Sequence, residues 1–479
     1  MKVHLSAVCG TGMASLAGLL KAAGHDVSGS DQEVYPPMSD QLAQWEIAVR
    51  APYSAQNVPE DADLVVIGNA LSRGNPEVEA VLDRKQRMTS MPALLAEAFL
   101  RGRTSLVVAG THGKTTTTSL LAFLLDRVGL DPSFLVGGVP QDFGTSQRLG
   151  GGPHFVVEGD EYNSAFFDKR PKFVHYVPDV AVIGNVEFDH ADIYPDLAAV
   201  QLAFTRLLTV IPGRGLLLAG AESPALAALL DGARCRVETF GIEGRFDWRA
   251  EGVARLDRGS RFRLHGAGRD WGEFRLGLPG AHNVRNALAA IAAAHAVGVA
   301  PDAVRDALSR FQGVKRRLEF KGRFDGVDVL DDFAHHPTAV RATLAAVRAL
   351  NPPGRVIAVF EPRSYTSRTR AFQAEFARCF GDADRVLVAA AYLPAKVPPA
   401  DRLSEPELAA GITGQGTRAD FVASPEAIVA ELCRDAGPGD TIVVLSNGAF
   451  GGLHDRLRRA LESRGGAAGA AGPMSRPMV

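Results

Sequence analysis

The stretch Ser105–Thr117, SLVVAGTHGKTTT, limits the fold of this chain more than any other. A short β-branched apolar run enters a loop with two glycines. An apolar-periodic segment, TTSLLAFLLDRVG, leaves it. A strand of that composition is buried on both faces, so it belongs in a parallel sheet covered by helices. The loop then sits at a helix N-terminus, where free backbone N–H groups and the helix dipole favour an anion. Lys114 follows the second glycine and can reach β- and γ-phosphates, and the Thr115 hydroxyl can bind a divalent cation. Residues Gly110, Thr111, His112, Gly113, Lys114, Thr115 and Thr116 therefore read as an ATP-phosphate loop. The longer template has glycine where this chain has Val108, so the loop is a shortened GxxGKT form. The bland alternative, a glycine turn with a surface lysine, explains neither the strand before it nor the helix after it.

Strand and helix signals alternate on both sides of this loop. VHLSAV, HDVSGSD and DLVVIGNA read as strands, with a helix from about Met13 to Ala23. HFVVEGD and VAVIGN follow the loop, then a helix over 281–298. A β-rich patch between about Arg245 and Leu278 reads as antiparallel and peripheral. VDVLDDF, RVIAVFEP, RVLVAAAY and DTIVVLSNG restart the pattern after about Gly322. The expected fold is α/β in three domains: N-terminal Rossmann-like, central P-loop α/β of ATPase type, and C-terminal Rossmann-like. The expected limits are 1–103, 104–318 and 319–462, and 479 residues suffice for three such cores. Residues 463–479, Gly/Ala/Pro-rich from Gly465, read as a disordered tail. A net charge of −2 argues against nucleic acid or anionic membranes as partners. No apolar run is long enough to span a bilayer. The four cysteines are scattered without metal or disulfide spacing, which points to the cytoplasm.

Further motifs lie where an open parallel sheet binds ligands, beyond the carboxyl ends of its strands. GTGMASLAG after the first strand puts Gly10 and Gly12 where a pyrophosphate can approach the backbone, but Ser15 replaces the third glycine of a dinucleotide fingerprint. A tight turn, a nicotinamide site with Asp31 on a ribose, and a sugar-nucleotide site all remain open. Glu158, Asp160 and Glu161 close one strand; Asp189 and His190 follow another. Beside a triphosphate, Glu158 and His190 suit Mg²⁺ or Mn²⁺. His282, Asn283 and Asn286 share one helical turn, as caps or as readers of a base edge. Lys315, Arg316 and Arg317 form either a solvated basic face or an arginine for a γ-phosphate. Asp332, His335 and His336 follow another strand.

Taken in order, GTHGKTTT, EGDEYNSAF, NVEFDHADIY, GAHNVRNALAA, RRLE and DDFAHHPT resemble the motif series of the Mur ligase family, over residues 1 to about 460. These are ATP-dependent amide-forming enzymes of peptidoglycan assembly. GTG and DDFAHHP are like the branch that adds L-alanine to UDP-N-acetylmuramate. VYPPMSDQL, GNALSRGNPE, EPRSYTSRTRAFQAEF and SNGAFGGLH are more similar to the branch that joins a recycled murein tripeptide to the same nucleotide sugar. The resemblance implies an acyl-phosphate mechanism with ATP as co-substrate and two Mg²⁺ ions. Its catalytic set is Lys114, Glu158, His190, Arg317 and His335, with Thr115, Glu158 and His190 on metal. Asn283 and Asn286 would face the adenine, and Arg317 and Asp332 would touch ATP from the linker and C-terminal domain. Gly10, Thr11, Gly12, Ser30, Asp31 and Asn69 would hold the UDP-sugar. Arg363 and Arg368 would hold the acidic tripeptide, with His336 as a candidate base for its amine. Thr205 stands where some members carry a carbamylated lysine, so no carbamate is expected. A monomer or weak homodimer is expected. The competing classes are an L-alanine ligase, a P-loop switch or motor without an amide product, and a nicotinamide oxidoreductase built on the GTG turn.

Overall fold

Apolar runs that no turn residue interrupts become strands buried on both faces. Leu64–Ile67, Thr104–Ala109, Val356–Phe360 and Thr441–Leu445 are buried along almost their whole length. The computed structural model, which describes residues 1–34, 36–242, 244–256 and 259–469, gathers such strands into three main sheets that succeed one another along the chain.

The first sheet is wholly parallel, in the spatial order Ala48–Arg50, Asp26–Ser30, Lys2–Ser6, Leu64–Ile67, Met88–Ser90. Its strand order reverses at Lys2–Ser6, so a crevice opens beyond that strand. The GTG turn lies there and leads into helix Thr11–Ala22.

The central sheet is larger. Its parallel part includes Ser133–Leu135, His154–Glu158, Thr104–Ala109, Val180–Ile183, Leu216–Gly220 and Arg236–Ile242. Trp248–Arg255, Ser260–Gly266 and Arg269–Leu276 extend one edge as an antiparallel meander. This is the peripheral patch expected from the sequence. Helix Lys114–Arg127 packs on helix Ala281–Ala296, whose alanines let the two backbones approach closely. Register aligns the exits: Ala109 pairs with Ile183, and Val108 with Glu158.

In the third sheet Val327–Asp332, Thr441–Leu445, Val356–Phe360, Arg385–Val388 and Arg418–Phe421 run parallel, with Glu319–Phe324 antiparallel at the edge. Asp332 and Phe360 both pair with Leu445, so three strand exits share one rim. The tail expected from residue 463 is corrected in part. The last helix runs Leu453–Gly469, because Leu453, Leu457 and Leu461 recur on one buried face. Arg464 then ties its end to the Cys433 and Ala436 carbonyls, at 2.7 and 2.6 Å. Residues 470–479 lie outside the described residues.

Candidate functional site

The loop after Ala109 turns through left-handed backbone at Gly113, φ 81°, which suits glycine. A Cβ there would also collide with the Asn286 amide, so the loop seats directly on helix Ala281–Ala296. Lys114 Nζ folds over the loop, donating to the Gly110 carbonyl at 2.6 Å and to Glu161 Oε2 at 2.8 Å. Thr115 Oγ1 donates to Glu158 Oε1 at 3.1 Å, and the Gly137 N–H donates to Glu158 Oε2 at 2.7 Å. Burial raises the Glu158 pKa against the pull of Lys114. The site thus presents a hydroxyl and a desolvated carboxylate side by side.

Glu161 is the residue the sequence undervalued. It is 1% exposed and joins Lys114 to His190, whose Nε2 lies 2.9 Å from Glu161 Oε1. Burial opposes the charge on both His190 and Glu161. Glu161 still raises the His190 pKa, and Lys114 with His190 lowers that of Glu161. A strand-exit carboxylate three positions after Glu158 was the available signal. His190 has φ 56°, a strained conformation for a non-glycine residue, common at functional sites.

The linker brings Arg317 to the same place. Arg316 and Leu318, at φ 62° and 49°, bracket it in left-handed backbone. Asp332 holds that shape: its carboxylate accepts the Leu318 N–H at 2.7 Å, the Ala334 N–H at 2.8 Å and the Thr343 hydroxyl at 3.2 Å. Asp332 lines the cavity, yet its carboxylate shapes the linker that presents Arg317. Arg317 Nη2 comes within 3.4 Å of Thr115 Oγ1, crossing from the linker to the phosphate loop. Burial lowers the Arg317 pKa, partly offset by Asp332 and Glu158.

His335 faces the cavity with Nδ1 3.0 Å from the Phe333 carbonyl and Nε2 4.0 Å from Asp189. His336, proposed as a base, caps helix Pro337–Ala349: its Nε2 lies 3.1 Å from the Phe188 carbonyl, and its Nδ1 accepts the Thr338 N–H at 3.3 Å. Burial pushes its pKa down to about 4, which makes it a poor base near neutrality. Asn283 and Asn286 line the cavity beside His282, with the Asn286 amide donating to Asn283 Oδ1 at 3.2 Å.

The N-terminal residues divide. Thr11 and Gly12 line the same cavity, and Gly10 caps the helix behind them. Asp31 organises that turn by accepting the Cys9 N–H at 2.8 Å and the Tyr53 hydroxyl at 3.0 Å. Asn69 is exposed on the loop after Leu64–Ile67. Ser30 does not face the crevice. It is fully buried and donates to Glu77 Oε2 at 2.5 Å, with His4 Nε2 at 3.3 Å, so its hydroxyl belongs to a polar knot inside the domain.

The two arginines also divide. Arg368 is buried and gives its guanidinium to the Ser364, Tyr392 and Leu393 carbonyls, at 3.2, 2.8 and 2.8 Å. These bonds occupy Nε and Nη1 and tie Arg368 into the fold, while its Nη2 makes no hydrogen bond among the described residues. Arg363 lies flat over Tyr392, 3.6 Å from the ring centroid, with Glu361 3.6 Å away. It also covers Gly448, where any Cβ would strike the guanidinium. EPRSYTSR and SNGAFGG, separate in sequence, therefore meet at Arg363 and Gly448.

Most of these groups line one cavity of about 1250 Å³ bounded by all three sheets' exits, with Thr11, Lys114, Glu158, Arg317, His335 and Asn447 on its walls. Among the described residues no helix is long and apolar enough to cross a membrane.

Comparison with known proteins agrees with this arrangement. Residues 2–103 match the catalytic domain of the Mur ligase family, 108–294 the Mur ligase middle domain, and 316–448 the Mur ligase glutamate ligase domain. The chain is 42% identical to the UDP-N-acetylmuramate–L-alanyl-γ-D-glutamyl-meso-2,6-diaminoheptandioate ligase of Escherichia coli K12, over 98% of this chain and 100% of that protein. The crystal structure of a murein peptide ligase from Psychrobacter arcticus superimposes with a TM-score of 0.74 at 37% identity, covering 96% of this chain and 99% of that one. The UDP-N-acetylmuramate–alanine ligase of Thermotoga maritima superimposes with a TM-score of 0.79 at 25% identity, over 97% and 100%.

Proposed function

The chain belongs to the Mur ligase family, and from that premise we propose that it joins the tripeptide L-alanyl-γ-D-glutamyl-meso-diaminopimelate to UDP-N-acetylmuramate with cleavage of ATP. The observation that carries the peptide assignment is the contact of Arg363 with Gly448, which unites the two segments most like the tripeptide branch. A guanidinium held flat on an aromatic ring suits a substrate rich in carboxylates.

A carboxylate is a poor acyl donor and must first be activated. An oxygen of the muramoyl carboxylate attacks the γ-phosphorus of ATP in line, the bond to the β,γ-bridging oxygen breaks, and ADP leaves an acyl phosphate. Lys114 and Arg317 flank the phosphate loop from two sides and oppose the charge on the transferring group. The peptide α-amine, having lost its proton, attacks the acyl carbon, and inorganic phosphate departs as the amide forms. Asn283 and Asn286 orient the nucleobase, and Thr11 and Gly12 the UDP-sugar. Thr115 and Glu158 fit a hard cation: burial disfavours the bare carboxylate, and a bound ion would offset that cost. With His190 they would hold Mg²⁺, which supplies charge neutralisation on the triphosphate. Closure of the C-terminal domain excludes water that would hydrolyse the acyl phosphate. The four cysteines are free, which fits a reducing cytoplasm.

The L-alanine reaction is the second reading, favoured by the higher TM-score with the Thermotoga enzyme. One assay separates them. Purified protein receives UDP-N-acetylmuramate, ATP and Mg²⁺ with either L-alanine or the tripeptide, and phosphate release is followed. Release with the tripeptide and little with L-alanine is the expected result; the reverse refutes the assignment.

A further inference from the structure

His112 on the phosphate loop, Glu187 after strand Val180–Ile183 and His336 at the cap of helix Pro337–Ala349 converge outside the Thr115, Glu158 and His190 group. Their ligand atoms all lie within 4.8 Å of one another. Glu187 Oε2 is 3.5 Å from His112 Nε2 and 3.9 Å from His336 Nδ1. Ligands on a tetrahedral zinc, with bonds of about 2.0–2.1 Å, stand about 3.3 Å apart, so small side-chain rotations close the triangle.

Four further observations bear on the site. Among the described residues, His112 Nε2 is buried, and at 3.5 Å from Glu187 Oε2 it falls short of a well-formed hydrogen bond, a weak pairing for a buried polar atom. His336 Nε2 lies 3.1 Å from the Phe188 carbonyl, which fixes its proton there and leaves Nδ1 as an electron-pair donor toward Glu187. The Thr338 hydroxyl donates to Glu187 Oε2 at 2.6 Å and holds the carboxylate in place. The Thr338 N–H also reaches His336 Nδ1, at 3.3 Å, a long bond that a metal would replace.

We propose that His112, Glu187 and His336 form a site for a divalent transition metal of the zinc class, which clasps the C-terminal domain to the phosphate loop. Two imidazoles beside a single carboxylate favour zinc or cobalt over magnesium, which prefers a shell made mostly of oxygen. All three residues line the cavity, so the fourth coordination position opens onto it.

The test uses the full chain, stripped with chelator and titrated with Co²⁺ in the absence of nucleotide. One equivalent with the strong visible absorption of tetrahedral cobalt, discharged by Zn²⁺, is expected. Glu187→Gln and His336→Asn, the latter keeping a helix-capping side chain, should each weaken binding at least about tenfold. Glu158→Gln should leave the spectrum unchanged. Circular dichroism and melting accompany each variant, and Glu187→Gln decides alone if His336→Asn does not fold. Only weak octahedral absorption, wild-type affinity in Glu187→Gln, or loss of the spectrum in Glu158→Gln would overturn the site.

Discussion

Lys114 Nζ lies 2.8 Å from Glu161 Oε2, with the ammonium side chain 12% exposed and the carboxylate 1%. Water solvates neither charge well, so each depends on the other. Burial works against both, yet Glu161 raises the Lys114 pKa and Lys114 lowers that of Glu161. In the proposed reaction, nucleotide binding would draw Lys114 from this carboxylate towards a phosphate.

Glu161→Gln should expose that dependence. Removing one partner of a buried pair costs about 3–5 kcal/mol, because the remaining charge stays buried and unpaired. A triphosphate replaces the missing counter-charge. The nucleotide-free variant should melt well below wild type, and ATP should raise its Tm by more than it raises the wild-type Tm. Equal increments in the two proteins, measured by differential scanning fluorimetry, would contradict this.

Lys114→Met should reduce ATP-dependent phosphate release at least about 10³-fold, since the positive charge beside the transferring group is gone. Thr11 and Gly12 open helix Thr11–Ala22 beside a different sheet, so affinity for UDP-N-acetylmuramate should stay within about twofold by calorimetry. Loss of both together would mean that the two domains do not bind their ligands separately.

Arg317→Ala removes a guanidinium that reaches from the linker to Thr115. A fall of about 10³-fold in kcat is expected, in line with other arginines that stabilise phosphoryl transfer. Arg317→Lys should recover little, because a point charge does not reproduce the fork. Substantial rescue by lysine would reduce the role of Arg317 to bulk charge.

Strands such as Leu64–Ile67 and Val356–Phe360 were legible because each is a short apolar run ended by glycine or a charge, whereas Ala48–Arg50, Met88–Ser90 and Arg418–Phe421, short or polar strands at sheet edges, were not read. That Lys114 and Glu158 line one cavity was legible because strand exits in a parallel sheet share one rim; Arg317 reaches it from the linker. Ser30 and Arg368 share one feature that the sequence hides: polarity signals a polar partner, and here that partner is inside the protein. Ser30 bonds Glu77 from far along the chain, and Arg368 closes on the carbonyls of Tyr392 and Leu393. No local pattern reports such pairings. Glu161 failed in the opposite sense, since its value lies in joining Lys114 to a histidine on another strand exit.

The same buried knot gives a pH dependence. His4 is fully buried, and desolvation pushes its pKa down to about 4, against the opposing pull of Glu77. Between the unfolded value of about 6.5 and that value, the unfolded chain takes up a proton that the folded chain refuses. Stability from this residue is therefore present above about pH 6.5 and lost as pH falls towards 4, by up to about 3 kcal/mol. Hydrogen exchange at the Lys2–Ser6 amides, corrected for intrinsic rates, should show that slope. His4→Gln should flatten it; an unchanged slope would assign the loss to other groups.

Arg363 and Arg368 make the sharpest test of substrate contact against architecture. Arg363→Ala frees the face of Tyr392 and leaves the three carbonyl bonds of Arg368 untouched. Its KM for the tripeptide should rise about tenfold or more, with KM for ATP and the melting temperature near wild type. Arg368→Ala leaves the Ser364, Tyr392 and Leu393 carbonyls without this partner, at about 0.5–1.5 kcal/mol for each lost bond. It should lower Tm by several degrees and reduce kcat for every substrate together. If Arg368→Ala instead raised only the tripeptide KM at full stability, the carbonyl bonds would be incidental and the original pairing of both arginines with peptide carboxylates would stand.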